Sequence, residues 1–221
     1  MSETAPRAVL WDLDGTLIDS GEYHYEAWRE TSQAIGRPMD RESFAESFGK
    51  KNETILREVL GDQADPHDIE RIGEQKEEIY RRLVRERGIA LLPGAAHWLH
   101  RLRATGWRQA LATSAPRGNV EAVLPRLGLE RFFDAVVVAE DVVTGKPDPA
   151  IFLEAARRLG IPPADCIVVE DAPGGLLGAR RAGMRTVGVL SSHFPALEAD
   201  LVIASLSELP DDAFDHLRRR S

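Results

Sequence analysis

Short apolar runs recur along this chain, and helix-patterned stretches separate them. The runs are Ala8 to Trp11, Gln109 to Ala112, Ala135 to Ala139, Cys166 to Val169, Arg185 to Leu190 and the short Leu201 to Ile203. They are continuous rather than alternating, which marks strands buried on both faces. Buried strands that alternate with helices make a parallel sheet covered on both sides. The expected fold class is therefore α/β, with a Rossmann-like parallel-sheet core. In such sheets ligands bind beyond the carboxyl ends of the strands. The residues that follow each run are where chemistry is expected.

The segment between the first two strands breaks the alternation. Glu22 to Ile35 places Ala27, Trp28, Thr31 and Ile35 at helical spacing, and Ser43 to Phe48 is a short amphipathic piece. Gly49-Lys50-Lys51-Asn52 reads as a loop, with Asn52 the expected N-cap of a helix through Leu60. Asp65-Pro66 starts a helix to about Glu86, with Ile69, Ile72, Ile79, Tyr80 and Leu83 along one stripe. No strand pattern occurs between Leu17 and Ala90. An all-α block is thus expected as an insertion after the first strand. The expected division is a core of residues 1–19 and 91–221 and a helical cap of residues 20–90. In the second part, Ala95 to Ala104 and helices opened by Pro116, Pro149 and Pro173 fill the gaps between strands. Leu206 to Leu217 reads as a final helix.

Four strand ends carry reactive groups. Asp12 and Asp14 follow the first, two residues apart, where a strand directs both to one side. Gly15 then allows a sharp exit. Thr113 and Ser114 follow the second, Lys146 lies in Gly145-Lys146-Pro147-Asp148-Pro149 near the third, and Glu170 and Asp171 follow the fourth. Carboxylates gathered at one point repel one another and are costly to bury. An oxygen-liking divalent cation such as Mg2+ offsets that cost. One carboxylate can then act as nucleophile and another as acid and base.

These motifs, Asp12-Leu13-Asp14-Gly15-Thr16, Thr113-Ser114, Lys146-Pro147 and Glu170-Asp171, resemble those of the haloacid dehalogenase superfamily, which is mostly phosphatases. The resemblance covers nearly the whole chain. The helical insertion is similar to the cap of the branch that includes phosphoglycolate phosphatases and beta-phosphoglucomutase. The resemblance implies a Mg2+-dependent phosphomonoester hydrolase working through an aspartyl-phosphate. Asp12 would attack phosphorus, and Asp14 would protonate the leaving oxygen and later activate water. Thr113 would bond the phosphoryl group and Lys146 would balance its charge. Asp12, the backbone carbonyl of Asp14, Glu170 and Asp171 would hold the metal. The founding dehalogenases generally lack the second aspartate and need no metal, so dehalogenation falls behind phosphatase chemistry.

The cap offers further candidates for binding the leaving group. Lys50 and Lys51 form a basic loop. Lys76 lies on the apolar stripe of its helix, so it either snorkels to solvent or points into the cleft. Glu22-Tyr23-His24 opens the first cap helix, and its neighbourhood resembles the stretch of beta-phosphoglucomutase whose histidine couples substrate binding to the acid. Lys76 also falls where that enzyme has a substrate lysine. Thr16 is the usual phosphatase residue, and lysines stand in the loop where the mutase has an arginine. Ser114, His24, Lys50, Lys51 and Lys76 are the substrate-binding candidates. A sugar phosphate is the expected substrate, and a sugar-phosphate mutase is the alternative activity.

Composition excludes some classes. The formal net charge of -8 argues against nonspecific nucleic-acid binding. No apolar run approaches the length of a membrane span, and Met1 to Arg7 lacks a signal-peptide core. The one cysteine, Cys166, sits in a strand run, so neither a disulfide framework nor a zinc cluster is expected. A cytoplasmic monomer acting on a small phosphorylated metabolite is the resulting expectation, with no membrane or nucleic-acid partner. Arg218-Arg219-Arg220 reads as a solvated tail.

Overall fold

The computed structural model of the protein describes residues 6–47, 50–191 and 194–218. In chain order, β1 (Ala8–Trp11) is followed by α1 (Gly21–Ala34), α2 (Arg41–Ser47), α3 (Asn52–Leu60) and α4 (Pro66–Arg87). Then come α5 (Ala95–Ala104), β2 (Arg108–Ala112), α6 (Arg117–Leu127), β3 (Ala135–Val137) and α7 (Ala150–Leu159). The chain ends with β4 (Cys166–Glu170), α8 (Pro173–Arg181), β5 (Arg185–Val189), β6 (Leu201–Ile203) and α9 (Ala213–Arg218). The sheet runs β3-β2-β1-β4-β5-β6, and every neighbouring pair is parallel. Strand order reverses between β1 and β4, which is where such sheets open a crevice for ligands.

Both faces of the sheet are covered, as continuous apolar strands require. Val9 and Trp11 face Leu99 and Leu102 of α5, Val120 and Val123 of α6 and Phe214 of α9. Ala8 and Leu10 face Ile151, Phe152 and Ala155 of α7 and Ala179 of α8. The buried Trp11 indole donates to Gln109 Oε1 at 3.0 Å, and Gln109 donates to the Leu99 carbonyl at 2.9 Å. A polar pair inside the core is thereby satisfied.

No strand forms between Trp11 and Arg108 among the described residues. The helices there pack around a cluster of their own, built from Trp28, Met39, Phe44, Ile55, Leu56, Ile69 and Ile72. This is the inserted helical cap. Asp65 caps α4 by accepting from the His67 N–H at 2.9 Å, with Pro66 at the first helical position. The lower half of α4 changes allegiance: Tyr80 and Val84 join the sheet-side cluster with Val120 and Val123.

Several sequence expectations need correction. Leu206 to Leu217 is not one helix. A short turn at Leu206–Glu208 precedes α9, because Pro210 lies between them. The third strand stops at Val137, and Ala139–Asp141 forms a separate turn. Asn52 does not cap α3; it is the first helical residue, and its side chain is used elsewhere. Arg218 is not a free tail residue, since its Nε lies 3.5 Å from Asp165 Oδ1. Phe48, Gly49, Arg219, Arg220 and the residues before Pro6 lie outside the described residues.

Candidate active site

β1 and β4 are hydrogen-bonded neighbours with Trp11 opposite Val169. The Asp12 N–H donates to the Val169 carbonyl at 3.0 Å. That register sets Asp12 beside Glu170 and Asp171 at the switch point. One carboxylate oxygen from each of these residues lies within 4.8 Å of the others. All three are buried, Asp12 at 6 %, Glu170 at 2 % and Asp171 at 1 % exposure. Two glycines make the packing possible. Gly15 adopts φ +79°, and a Cβ there would overlap the Asp171 carboxylate. A Cβ on Gly175, in the first turn of α8, would overlap Glu170.

Lys146 enters from the turn before α7. Its Nζ donates to Asp12 Oδ1 at 2.5 Å and to Glu170 Oε2 at 2.7 Å. Burial alone would lower the Lys146 ammonium, but the two carboxylates outweigh it and hold the charge firmly. The carboxylates themselves are under strain from like charge. Burial, then the Glu170 charge, pushes Asp12 up to about 8 despite Lys146. Burial with Glu170 and Asp12 raises Asp171 well above the usual carboxylate range. Asp171 Oδ2 is buried with no hydrogen-bond partner. An orphaned buried acceptor among three close carboxylates fits a hard divalent cation such as Mg2+.

Thr113 is buried at the end of β2, where its N–H donates to the Val137 carbonyl at 3.0 Å and its Oγ1 accepts from the Ala115 N–H at 3.0 Å. Ser114 is half-buried beside it. Asp12, Asp14, Thr113, Ser114, Lys146, Glu170 and Asp171 all line one cleft of about 520 Å3. The carboxylate of Asp14 stands apart from the acidic cluster. Its Oδ1 meets His24 Nε2 at 3.1 Å. Burial would raise Asp14, but the His24 ring and the Lys76 charge outweigh it and hold the carboxyl below its ordinary value.

The cap side of the cleft also carries the expected residues, though not all as expected. Lys76 neither snorkels nor stands free. It is 2 % exposed, with Nζ 2.9 Å from His24 Nδ1 and 2.9 Å from Glu77 Oε1. The rings of Trp28 and Tyr80 lie 5.5 and 5.7 Å from it. Lys50 lines the cleft, yet its Nζ is bonded to both oxygens of Glu58 at 2.9 Å. Lys51 reaches across to the Val143 carbonyl at 3.4 Å.

Sequence reasoning missed Glu77, Asn52 as its ligand, and Asn119. Glu77 is 3 % exposed and accepts from Asn52 Nδ2 and Asn119 Nδ2, each at 2.6 Å. The Lys76 charge outweighs its burial and pushes it down to about 2. A signal existed. Gly73, Glu77, Tyr80 and Val84 are buried at helical spacing, a second stripe beside the apolar one.

The comparisons with known proteins agree with this geometry. A model of the haloacid dehalogenase-like hydrolases matches residues 6–183. Beta-phosphoglucomutase of Bacillus subtilis (strain 168) is 35% identical over 209 residues, covering 92% of this chain and 91% of that protein. A phosphorylated carbohydrates phosphatase of Thermotoga maritima is 32% identical over 190 residues, covering 84% and 86%. Among solved structures, a variant of CbbY from Rhodobacter sphaeroides in complex with xylulose-(1,5)bisphosphate superposes with a TM-score of 0.85 at 31% identity, covering 92% of this chain and 96% of that one. With the motif residues gathered at the ends of β1, β2 and β4, the matches leave one assignment: this chain belongs to the haloacid dehalogenase-like hydrolase family.

Proposed function

We propose that the protein is a Mg2+-dependent phosphomonoesterase that hydrolyses a small sugar phosphate through an aspartyl-phosphate on Asp12. The observation that carries this reading is the buried set of Asp12, Lys146, Glu170 and Asp171 at the switch point of the sheet. Phosphoryl transfer needs in-line positioning and charge neutralisation above all. Asp12, Glu170 and Asp171 would hold the cation, with the backbone carbonyl of Asp14. When bound, it neutralises charge on the phosphoryl oxygens. Named relatives that act on phosphorylated carbohydrates support the substrate class.

In the first step an Asp12 oxygen bonds to phosphorus while the bond from phosphorus to the sugar oxygen breaks. Asp14 delivers a proton to that oxygen. In the second step water gives a proton to Asp14 and attacks phosphorus, and the bond to Asp12 breaks. Thr113 and Lys146 hold the phosphoryl oxygens through both. Beside His24 the Asp14 carboxyl is held below its ordinary value, so it must take up a proton from solvent before it can deliver one to the sugar oxygen. The acid step therefore requires exchange of the His24 contact before the sugar leaves. Residues 20–90 form the cap in this reading, and residues 1–19 and 91–221 the catalytic core.

A sugar-phosphate mutase is the second reading. It is favoured by the His24–Asp14 contact of 3.1 Å and by the identity to beta-phosphoglucomutase. The deciding experiment offers a panel of sugar monophosphates with Mg2+ and measures phosphate release. Isomer interconversion primed by a hexose bisphosphate is followed in parallel. Release that is fast, unprimed and lost on chelation supports the phosphatase. Interconversion without net release supports the mutase.

A further inference from the structure

Three lysines line the leaving-group end of the cleft, and each is already engaged. Lys50 is bonded to Glu58 and Lys51 to the Val143 carbonyl. The stem of Lys51 also lies against Gly145, where a Cβ would come within 2.6 Å of its Cε. Lys76 is shared between Glu77 and His24. Glu46, Glu53 and Glu77 line the same cleft, and Glu53 is paired with Arg57. Of these carboxylates Glu77 is the buried one, and it is fixed from three elements. It sits on α4 beside Lys76 and accepts from Asn52 of α3 and from Asn119 of α6. A carboxylate held by three donors cannot swing away when a ligand arrives.

We propose that Glu77 is a specificity-determining residue. By neutralising Lys76 it makes this end of the cleft accept an uncharged polyol and reject a second phosphate. The inference rests on the phosphomonoesterase reading and deepens it. An ammonium has three donors. Two point at Glu77 and His24, and the third serves a sugar hydroxyl. A second phosphate would bring roughly two negative charges up to an ionised carboxylate in a poorly solvated wall. Trp28, Phe44 and Ile55 line the same space and suit the C–H faces of a sugar. Like charge set against a competing ligand is a standard source of discrimination.

The test compares a hexose 6-phosphate with the matching hexose 1,6-bisphosphate. Phosphate release gives kcat/KM for each, and calorimetry gives the affinity of each for Asp12→Asn, which holds ligands without turning them over. The wild-type chain should prefer the monophosphate by about tenfold or more. Glu77→Gln, which keeps shape and removes charge, should shrink that preference by about tenfold in kcat/KM and, combined with Asp12→Asn, in affinity. Asn119→Ala is the control. It cuts the bond to α6 but leaves the charge, so both substrates should slow together and the preference should stay. Equal losses on both substrates in Glu77→Gln would overturn the proposal. So would equal affinity of Asp12→Asn for the two ligands, a result that needs no folded Glu77→Gln. Absence of phosphate release from any monophosphate would instead reject the phosphomonoesterase reading, and the binding measurement would still decide the role of Glu77.

Discussion

Lys76 Nζ and His24 Nδ1 lie 2.9 Å apart, and this fixes the direction of the bonds that lead to Asp14. An ammonium only donates, so Nδ1 accepts and the ring hydrogen sits on Nε2. That hydrogen points at Asp14 Oδ1, 3.1 Å away. A lysine of α4 thus sets the tautomer of the histidine that holds the Asp14 carboxylate, the proposed acid and base. His24→Ala should lower kcat/KM for a sugar phosphate by about 10- to 150-fold, the equivalent of one hydrogen bond to a charged group at about 1.5 to 3 kcal/mol. Unchanged kinetics would remove His24 from the reaction.

Lys76 and Glu77 form a buried ion pair, with side chains 3 % and 4 % exposed. Breaking such a pair from one side strands a charge and costs about 3 to 5 kcal/mol. Lys76→Met should lose that much stability in urea denaturation. Adding Glu77→Gln should restore most of it, because no unpaired charge then remains. A loss under about 1 kcal/mol for Lys76→Met would mean that Asn52 and Asn119 alone satisfy Glu77.

Glu77 also gives the fold a pH signature. Its carboxyl is pushed down to about 2 in the folded protein from an ordinary 4.5. The folded state therefore binds the proton less readily than the unfolded chain. The stabilisation is complete above the ordinary value and is lost as pH falls from there towards 2. A depression of this size corresponds to about 3 kcal/mol. Stability measured between about pH 5 and pH 2 should fall more gently in Glu77→Gln than in the wild type. Parallel curves would contradict the buried, ionised carboxylate.

The sequence and the structure agree wherever one local signal decides the outcome. Continuous apolar runs gave the parallel sheet, since such runs tolerate only two-sided burial. Asp65-Pro66 gave the start of α4 for a similarly local reason. The carboxylates and Lys146 were legible because strand ends in such a sheet converge on one rim. The network around Glu77 was not. It depends on which residues of α3 and α6 meet α4, and no single stretch encodes that crossing. Asn52 shows the difference. Locally it is a good cap, yet Glu77, 25 positions along the chain, claims its amide. Pro210 is a local break signal, and it separates the turn at Leu206–Glu208 from α9.

Asp14→Asn tests the assignment of acid and base. Assistance of this kind is typically worth about 100- to 10,000-fold. Nitrophenolate leaves with little need of a proton, and a sugar alkoxide does not. The variant should therefore lose less in phosphorylating itself from nitrophenyl phosphate than from a sugar phosphate. Single-turnover quench experiments on both substrates give the comparison. Equal losses would show that Asp14 does not protonate the leaving group.

In the proposed reaction Asp12 carries the phosphoryl group between the two steps. The direct measurement is peptide mass mapping of enzyme quenched in acid during turnover of a sugar phosphate. One phosphoryl adduct is expected in the peptide that contains Asp12. Neither adduct nor measurable phosphate release is expected in a folded Asp12→Asn, because an amide cannot form the acyl-phosphate. An adduct on another residue, or phosphate release by Asp12→Asn at more than a few per cent of the wild-type rate, would contradict this role of Asp12.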